Sequence, residues 1–486
     1  MSERADTAGP PRPGHDDPTR VLVIWPPQVL SYFNAGHHLA LYQVAGHLRA
    51  VLPGATVTAV DASVRRLTWK DVGNDLFQQQ YDVIAVMNDF DGVDGLRRFV
   101  TYARSLSPRA RIVTFGRLSG VNPAYFRTFA LDAVVENGDF EAGVAAAVDV
   151  FRGLAETAPG VHLRRPEGWA APARPGTVLP SEQWHLPEPH EIPYQRYDEL
   201  YHDDANKFCG IPRRRELVVP AARGCPIGCS YCEVHPIFGK RERRLTVART
   251  LEYIERSFDA APFEYVAFYA PTFTLDRRWT TELCERLTGL GSPYPWKCAT
   301  TLHHLDADLV ATMGRAGCIR ISVGLETLDP EGHDALPRSK RKSEQDLDDL
   351  SAWCSAAGIE LNCFVMVGLP GSSTAGVRRT VAKVRELGGR SRPTVYTPWE
   401  ATRADMTDEE MAAFNRQLFV PGTHNLDAEE LREAYDVVFG RQPDVTAVFE
   451  KVPERAPEGA AKDIGAQGIG AQGIGAQDGA AVRVAS

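Results

Sequence analysis

Short apolar runs alternate with longer amphipathic segments in two stretches of this 486-residue chain, and that alternation sets the fold class. In the first stretch the runs are 20–25, 56–61, 82–87, 111–115 and 132–135. They are rich in Val and Ile, as strands covered on both faces require. Segments 35–52, 95–106 and 141–154 carry apolar residues at helical spacing between them. Strands alternating with helices of this length predict a parallel, doubly wound sheet over 20–154.

Residues 155–195 are rich in Pro and Gly without periodicity, so 155–210 is expected to be a linker. Alternation resumes near Glu216 and fills 211–400. Strands are predicted at 217–222, 264–269, 295–300, 318–324, 359–367 and 394–397. Helices are predicted at 246–259, 278–289, 306–316, 344–357 and 374–387. Six such units make a partial (β/α)6 barrel, whose chemistry belongs at the C-terminal rim. Residues 401–450 read as helical. The N-terminal 1–19 is polar and Pro-rich, and 451–486 contains the repeat Ile464-Gly-Ala-Gln-Gly468. Both have too little apolar bulk to fold and are expected to be disordered.

Composition changes this picture little. Apolar residues make up 43% and charged residues 24%, as in ordinary globular chains. No apolar run approaches a membrane span, and 1–20 has no apolar signal-peptide core, so a cytoplasmic location is expected. Net charge is −9 and the basic clusters at 213–215 and 340–342 are short, which argues against nucleic acid as a partner.

The strongest chemical signal lies just after the first barrel strand. Cys225, Cys229 and Cys232 stand at C-x3-C-x2-C in Arg223-Gly-Cys-Pro-Ile-Gly-Cys-Ser-Tyr-Cys-Glu233. Three thiolates can hold three irons of a [4Fe–4S] cube and leave the fourth open. Gly and Pro suit a backbone that must wrap a cube. A structural zinc site would show a second pair of ligands, which is missing, and His235 sits too close to Cys232 for finger spacing. Nine cysteines, an odd number, with no signal peptide argue against a disulfide framework. The other six cysteines are scattered and read as small buried apolar residues.

This motif resembles the radical S-adenosylmethionine (radical SAM) superfamily, and the resemblance runs over about 210–400. It is nearest the subgroup with an N-terminal cobalamin-binding-like domain. It implies a [4Fe–4S] cluster on Cys225, Cys229 and Cys232, and SAM chelated to the open iron. Tyr231 matches the aromatic position against adenine. Gly324-Leu325-Glu326-Thr327 matches the run that ends the fourth strand, where Glu326 would bond the SAM ribose or amino group. Val365-Met-Val-Gly368-Leu-Pro-Gly371 matches the Gly-containing fifth strand, with Gly368 near adenine. Relatives often carry Asp after the second strand. This chain has none before Asp276, so Thr272 or backbone carbonyls would take the amino-group contact. One of Arg338, Lys340, Arg341 and Lys342 would pair with the SAM carboxylate, and which one the sequence leaves open; Lys340 is carried as the cofactor-binding candidate.

The resemblance implies reductive cleavage of SAM to a 5′-deoxyadenosyl radical that takes hydrogen from a small-molecule substrate. The electron would come from a flavodoxin-type or other reductase. In the front domain, the family's Gly-Gly pair is replaced by Gly116-Arg117 and its Gly-Glu-Gly-Glu run by Glu136-Asn-Gly-Asp139. A D-x-H-x-x-G run is absent, and His37 and His38 read as surface or packing residues. Cobalamin is therefore doubtful as a cofactor, although the fold is kept. The expected reaction is dehydration of a diol in a polyhydroxylated amino-sugar intermediate of antibiotic biosynthesis. Such chemistry wants a paired acid and base, for which His303, His304, Tyr269, Tyr396 and Glu400 are candidates. The alternative is cobalamin-dependent C-methylation.

Overall fold

The computed structural model describes residues 19–27, 38–89, 93–201, 210–211, 214–397, 399–415 and 428–439. Of the expected disordered ends, 1–19 and 451–486, all but Thr19 lie outside the described residues, as does the whole of 440–450.

The first sheet contains β1 (Arg20–Trp25), β2 (Thr56–Asp61), β3 (Val83–Asn88), β4 (Arg111–Gly116), β5 (Ala133–Val135), β6 (Val161–Arg165) and β7 (Gly168–Ala170). Their order is β2-β1-β3-β4-β5-β6-β7. The first five run parallel, with Val21 opposite Val57 on one side and Val83 on the other. The strand order reverses at β1, so the crevice of this sheet opens beyond the ends of β1 and β3. Part of the expected linker departs from expectation: β6 and β7 extend the sheet as antiparallel edge strands. Their mixed polar sequence, with Arg164 and Arg165, hides them from an apolar-run criterion. The helix at Leu39–Val51 starts later than expected, and 28–37 falls outside the described residues. A helix at Trp69–Gln79 was not anticipated; a Thr68–Asp71 capping box starts it.

The second sheet follows the predicted alternation. It contains β8 (Glu216–Pro220), then β11 (Tyr265–Tyr269), β12 (Trp296–Thr300), β13 (Cys318–Glu326), β14 (Glu360–Val367) and β15 (Arg390–Val395). The intervening β9 (Ala222–Arg223) and β10 (Arg243–Arg244) form a small antiparallel pair that closes the cysteine loop at its base. All six barrel strands are parallel, in the order β15-β14-β13-β12-β11-β8. The last strand begins at Arg390, four residues before the expected start. Arg390 and Arg392 occupy it, both 1% exposed, and polar residues of that kind do not announce a buried strand.

One apolar core runs from the first sheet into the barrel, joining Val44 and Phe140 to Leu217, Ile237 and Trp296. The two parts are also pinned by buried charges. Asp139 accepts from Arg243 and pairs with Arg223, which also donates to Glu141. Burial alone would raise the Asp139 pKa, but the two arginines outweigh it and hold the carboxylate below its usual range. No helix among the described residues is long and apolar enough to cross a membrane.

Candidate functional site

The sequence-selected residues gather at the C-terminal rim of the barrel around the cysteine loop. Gly224, at φ 80°, lets the loop leave β9, since a Cβ there would lie 2.3 Å from the Arg241 carbonyl oxygen. Cys225 follows, its amide donating to the Gly239 carbonyl, and the Cys232 amide donates to Cys229. The three thiols form no disulfide. Cys225 is buried, and Cys229 and Cys232 are partly exposed. Burial pushes both Cys229 and Cys232 above the ordinary thiol range.

Among the described residues no three His, Cys, Asp or Glu side chains converge as a single-ion site requires. The unbridged, loop-borne thiols are the donors that a [4Fe–4S] cluster takes.

Next to the thiols stands a polar group of three, Glu326 buried and Tyr231 and Lys340 partly so. Glu326 ends β13 with φ 63°, a left-handed backbone that a Glu rarely adopts, and the β13–β14 register shifts between Gly324 and Glu326. A bulge of this kind re-aims a side chain at the end of a strand, and strain of this kind collects at functional sites. The Glu326 carboxylate accepts from Lys340 Nζ at 2.5 Å and from the Tyr231 hydroxyl at 3.2 Å, on the same Oε1. Lys340 Nζ also lies 5.6 Å from the centre of the Tyr231 ring. Burial opposes its charge, but Glu326 and Cys229 outweigh burial and raise its pKa. Gly324 leaves the room for this pair: a Cβ there would sit 2.6 Å from Glu326 Oε1 and 2.8 Å from Lys340 Nζ.

Beside Tyr231 lies a separate apolar cluster of Leu336, Met366, Leu369 and Tyr396. The Tyr396 and Tyr231 rings meet edge to face at 6.4 Å. Gly368, at φ 76°, turns the chain after β14 so that Leu369 enters this cluster. Trp399 Nε1 donates to the Tyr231 carbonyl at 2.9 Å, a tie that sequence reasoning missed. Thr272, 2% exposed, sits with Oγ1 3.9 Å from Cys225 Sγ. His303 stacks on His304 at 4.0 Å. Burial, then His304, Lys342 and Lys340, hold its pKa down to about 4, so it is neutral at pH 7. Tyr269 and Glu400 are exposed.

A second feature faces this rim from the first sheet. Where the two sheets meet, a cavity of about 170 Å³ is lined by His38, Asp89, Arg117, Glu141, Arg223 and Tyr269, with apolar neighbours. His38 is a buried packing residue, 3% exposed and set against the Trp25 ring at 4.0 Å; its Nδ1 lies 2.5 Å from Asp61 Oδ2, and its Nε2 has no hydrogen-bond partner among the described residues. Arg117 donates to Asp89 at 2.7 Å and to Glu233 of the cysteine loop at 3.4 Å. The cavity is smaller than a corrin macrocycle.

The family model described as the Radical SAM superfamily matches residues 219–384. An anaerobic magnesium-protoporphyrin IX monomethyl ester cyclase of Rubrivivax gelatinosus is 24% identical over 459 residues, covering 87% of this chain and 74% of that protein. An uncharacterised methyltransferase of Pyrococcus horikoshii is 25% identical over 214 residues, 44% of this chain. That match spans only 45% of the methyltransferase. Among solved structures, the radical SAM methyltransferase TsrM from Kitasatospora setae shares the fold at TM-score 0.64 and 19% identity, over 78% of this chain and 74% of that one. These matches join the doubly wound front domain and the barrel into one known architecture. Residues 219–384 of this chain are thus similar to the radical SAM superfamily, on a barrel of matching fold.

Proposed function

We propose that the chain is a cobalamin-dependent radical SAM methyltransferase acting on a small molecule. This replaces the diol dehydration expected from the sequence. The observation that carries the reading is the doubly wound front sheet set against the cluster-side rim of the barrel, with a cavity between them. Two findings on similar proteins support it. TsrM, which shares the fold, has been solved with cobalamin and a [4Fe–4S] cluster bound. The Pyrococcus relative is named as a methyltransferase.

When bound, the cluster and SAM supply one-electron cleavage of a sulfonium bond, and a corrinoid supplies a transferable methyl group. The chain's residues do the rest. Cys225, Cys229 and Cys232 hold the cluster as thiolates. Lys340 offers its ammonium to the carboxylate of SAM, and Glu326 accepts from the amino group or ribose. Tyr231, with Leu336, Met366, Leu369 and Tyr396, gives adenine an apolar slot. Thr272 stands on the Cys225 side for the amino group. His303, neutral at pH 7, can take a proton from substrate in either reaction. The electron comes from an external reductase or flavodoxin.

The test is anaerobic reconstitution with SAM, hydroxocobalamin and a reductant. Tightly held corrinoid, with S-adenosylhomocysteine formed in turnover with a substrate, supports the reading. Cluster-loaded protein that cleaves SAM but retains no corrinoid refutes it and returns the dehydratase.

A further inference from the structure

We infer that Arg117 is a positioning residue of the cluster site: from the front domain it holds Glu233, and with it Cys232, so that the cysteine loop is completed by the front sheet and not by the barrel alone. The inference goes beyond the methyltransferase reading, because it needs the cluster and not the corrinoid.

Arg117 opens the short helix Arg117–Val121 directly after β4, at the edge of the front sheet that faces the barrel rim. Its guanidinium is anchored on one side and reaches out on another. Nε donates to Asp89, buried just past the end of β3, at 2.7 Å, and Nη1 donates to Glu233 at 3.4 Å. A planar fork serves two carboxylates at once, which the point charge of an ammonium does less well. Burial opposes the charge, but Asp89, Tyr269 and Glu233 outweigh burial and keep the group protonated. For the Glu233 carboxylate, Arg117 is the one hydrogen-bond partner among the described residues.

Glu233 directly follows Cys232, and the turn of helix beyond it, Val234–Phe238, is also built on the front domain. Gly120 makes room for it, since a Cβ there would stand 2.6 Å from Ile237 Cγ1. The Gly138 amide donates to the Ile237 carbonyl at 2.9 Å, and the Phe238 ring meets Phe140 at 5.2 Å. The far end of the same turn supports a second cysteine, because the Gly239 carbonyl accepts from the Cys225 amide at 3.2 Å. On the other side of Cys232, the Tyr231 carbonyl accepts from Trp399, which packs against the second apolar core of the front sheet. Cys232 thus stands between two ties, one through each neighbour, and both lead to the front domain.

Charge separates Arg117 from the packing contacts around it. A reduced cluster carries one more negative charge than an oxidised one, so a fixed cation nearby favours reduction and raises the potential. Removing Arg117 takes that cation away and leaves the Glu233 carboxylate beside the third thiolate. A residue that only glues two domains together has no such effect on the potential.

The experiment uses the full chain, reconstituted with its cluster under nitrogen and without added corrinoid. Four proteins are compared: the parent, Arg117→Ala, Glu233→Gln and the double variant. The cluster midpoint is read by a redox titration followed by electron paramagnetic resonance, and iron loss is timed with a ferrous chelator. Each single variant should release iron about tenfold faster or more. The midpoints should move in opposite directions, more negative in Arg117→Ala and more positive in Glu233→Gln. The double variant should release iron no faster than the faster single one, as expected of two residues that act as a pair. An unmoved midpoint in Arg117→Ala reduces the residue to packing and overturns the inference, and release rates that multiply in the double variant do the same. Should Arg117→Ala fail to fold, Glu233→Gln changes only the loop side, and a parental release rate there overturns the inference by itself. Corrinoid uptake is not read, so neither result touches the methyltransferase reading.

Discussion

Gly324 is the position where a single methyl group separates the site from the fold. In Gly324→Ala the new Cβ would stand 2.6 Å from Glu326 Oε1 and 2.8 Å from Lys340 Nζ. Both are too close for carbon, so the carboxylate and the ammonium must move. Each is the far end of a flexible side chain, and no backbone atom is among the nearest neighbours, so β13 need not shift. The cost therefore falls on the polar group rather than on folding. Displacing one charge-assisted contact loses about 1.5–3 kcal/mol, which is roughly ten- to a hundredfold in SAM affinity. The assay is equilibrium dialysis of SAM against cluster-loaded protein in an anaerobic chamber, with a thermal melt alongside. The variant should melt within a few degrees of the parent and bind SAM at least tenfold more weakly. A folded, cluster-loaded variant with parental affinity would show that Glu326 and Lys340 do not form the SAM contact.

Other substitutions test the surrounding contacts. Removing the carboxylate charge of the fully buried Asp139 in Asp139→Asn leaves the half-buried Arg243 without its ion-pair partner and Arg223 with Glu141 alone. It should cost about 3–5 kcal/mol, read as a lower urea midpoint with the front domain melting first. Trp399→Phe removes the bond to the Tyr231 carbonyl, worth about 1 kcal/mol; loss of cluster absorbance to a chelator should quicken severalfold, and an unchanged rate would dismiss the tie. His303 is held near pKa 4, below the ordinary 6.5, so between those values the unfolded chain binds its proton more readily. Stability contributed at pH 7 is lost as pH falls through that window. His303→Gln should flatten the drop in urea midpoint between pH 7 and pH 5 in the apoprotein, and an unaltered drop would rule the residue out as its source.

What the sequence revealed follows from which forces are local. Strands such as β8 and β14 show apolar runs at 217–219 and 363–367 because helices cover both faces, and that pattern is visible without partners. The cysteine loop is visible because its spacing is covalent. Thr327 and Gly324 bracket a carboxylate that the resemblance singles out, but its left-handed backbone and its bond to Lys340 depend on a bulge between two strands. The burial of His38 is as non-local: its partners are Asp61, 23 residues away, and Tyr197, far beyond in sequence. The edge strands at 161–170 and the arginine-bearing start of β15 were missed because tertiary contacts, not apolar periodicity, place them.

The central claim is that three thiolates leave one iron of a cluster open to SAM. Electron paramagnetic resonance of the anaerobically reconstituted, reduced protein, holding about four irons per chain, tests it when recorded before and after SAM is added. The signal should change on addition of SAM, and the protein with Cys225, Cys229 and Cys232 all replaced by Ala should hold no cluster. A spectrum indifferent to SAM, or a metal centre that survives in the triple variant, would contradict the account.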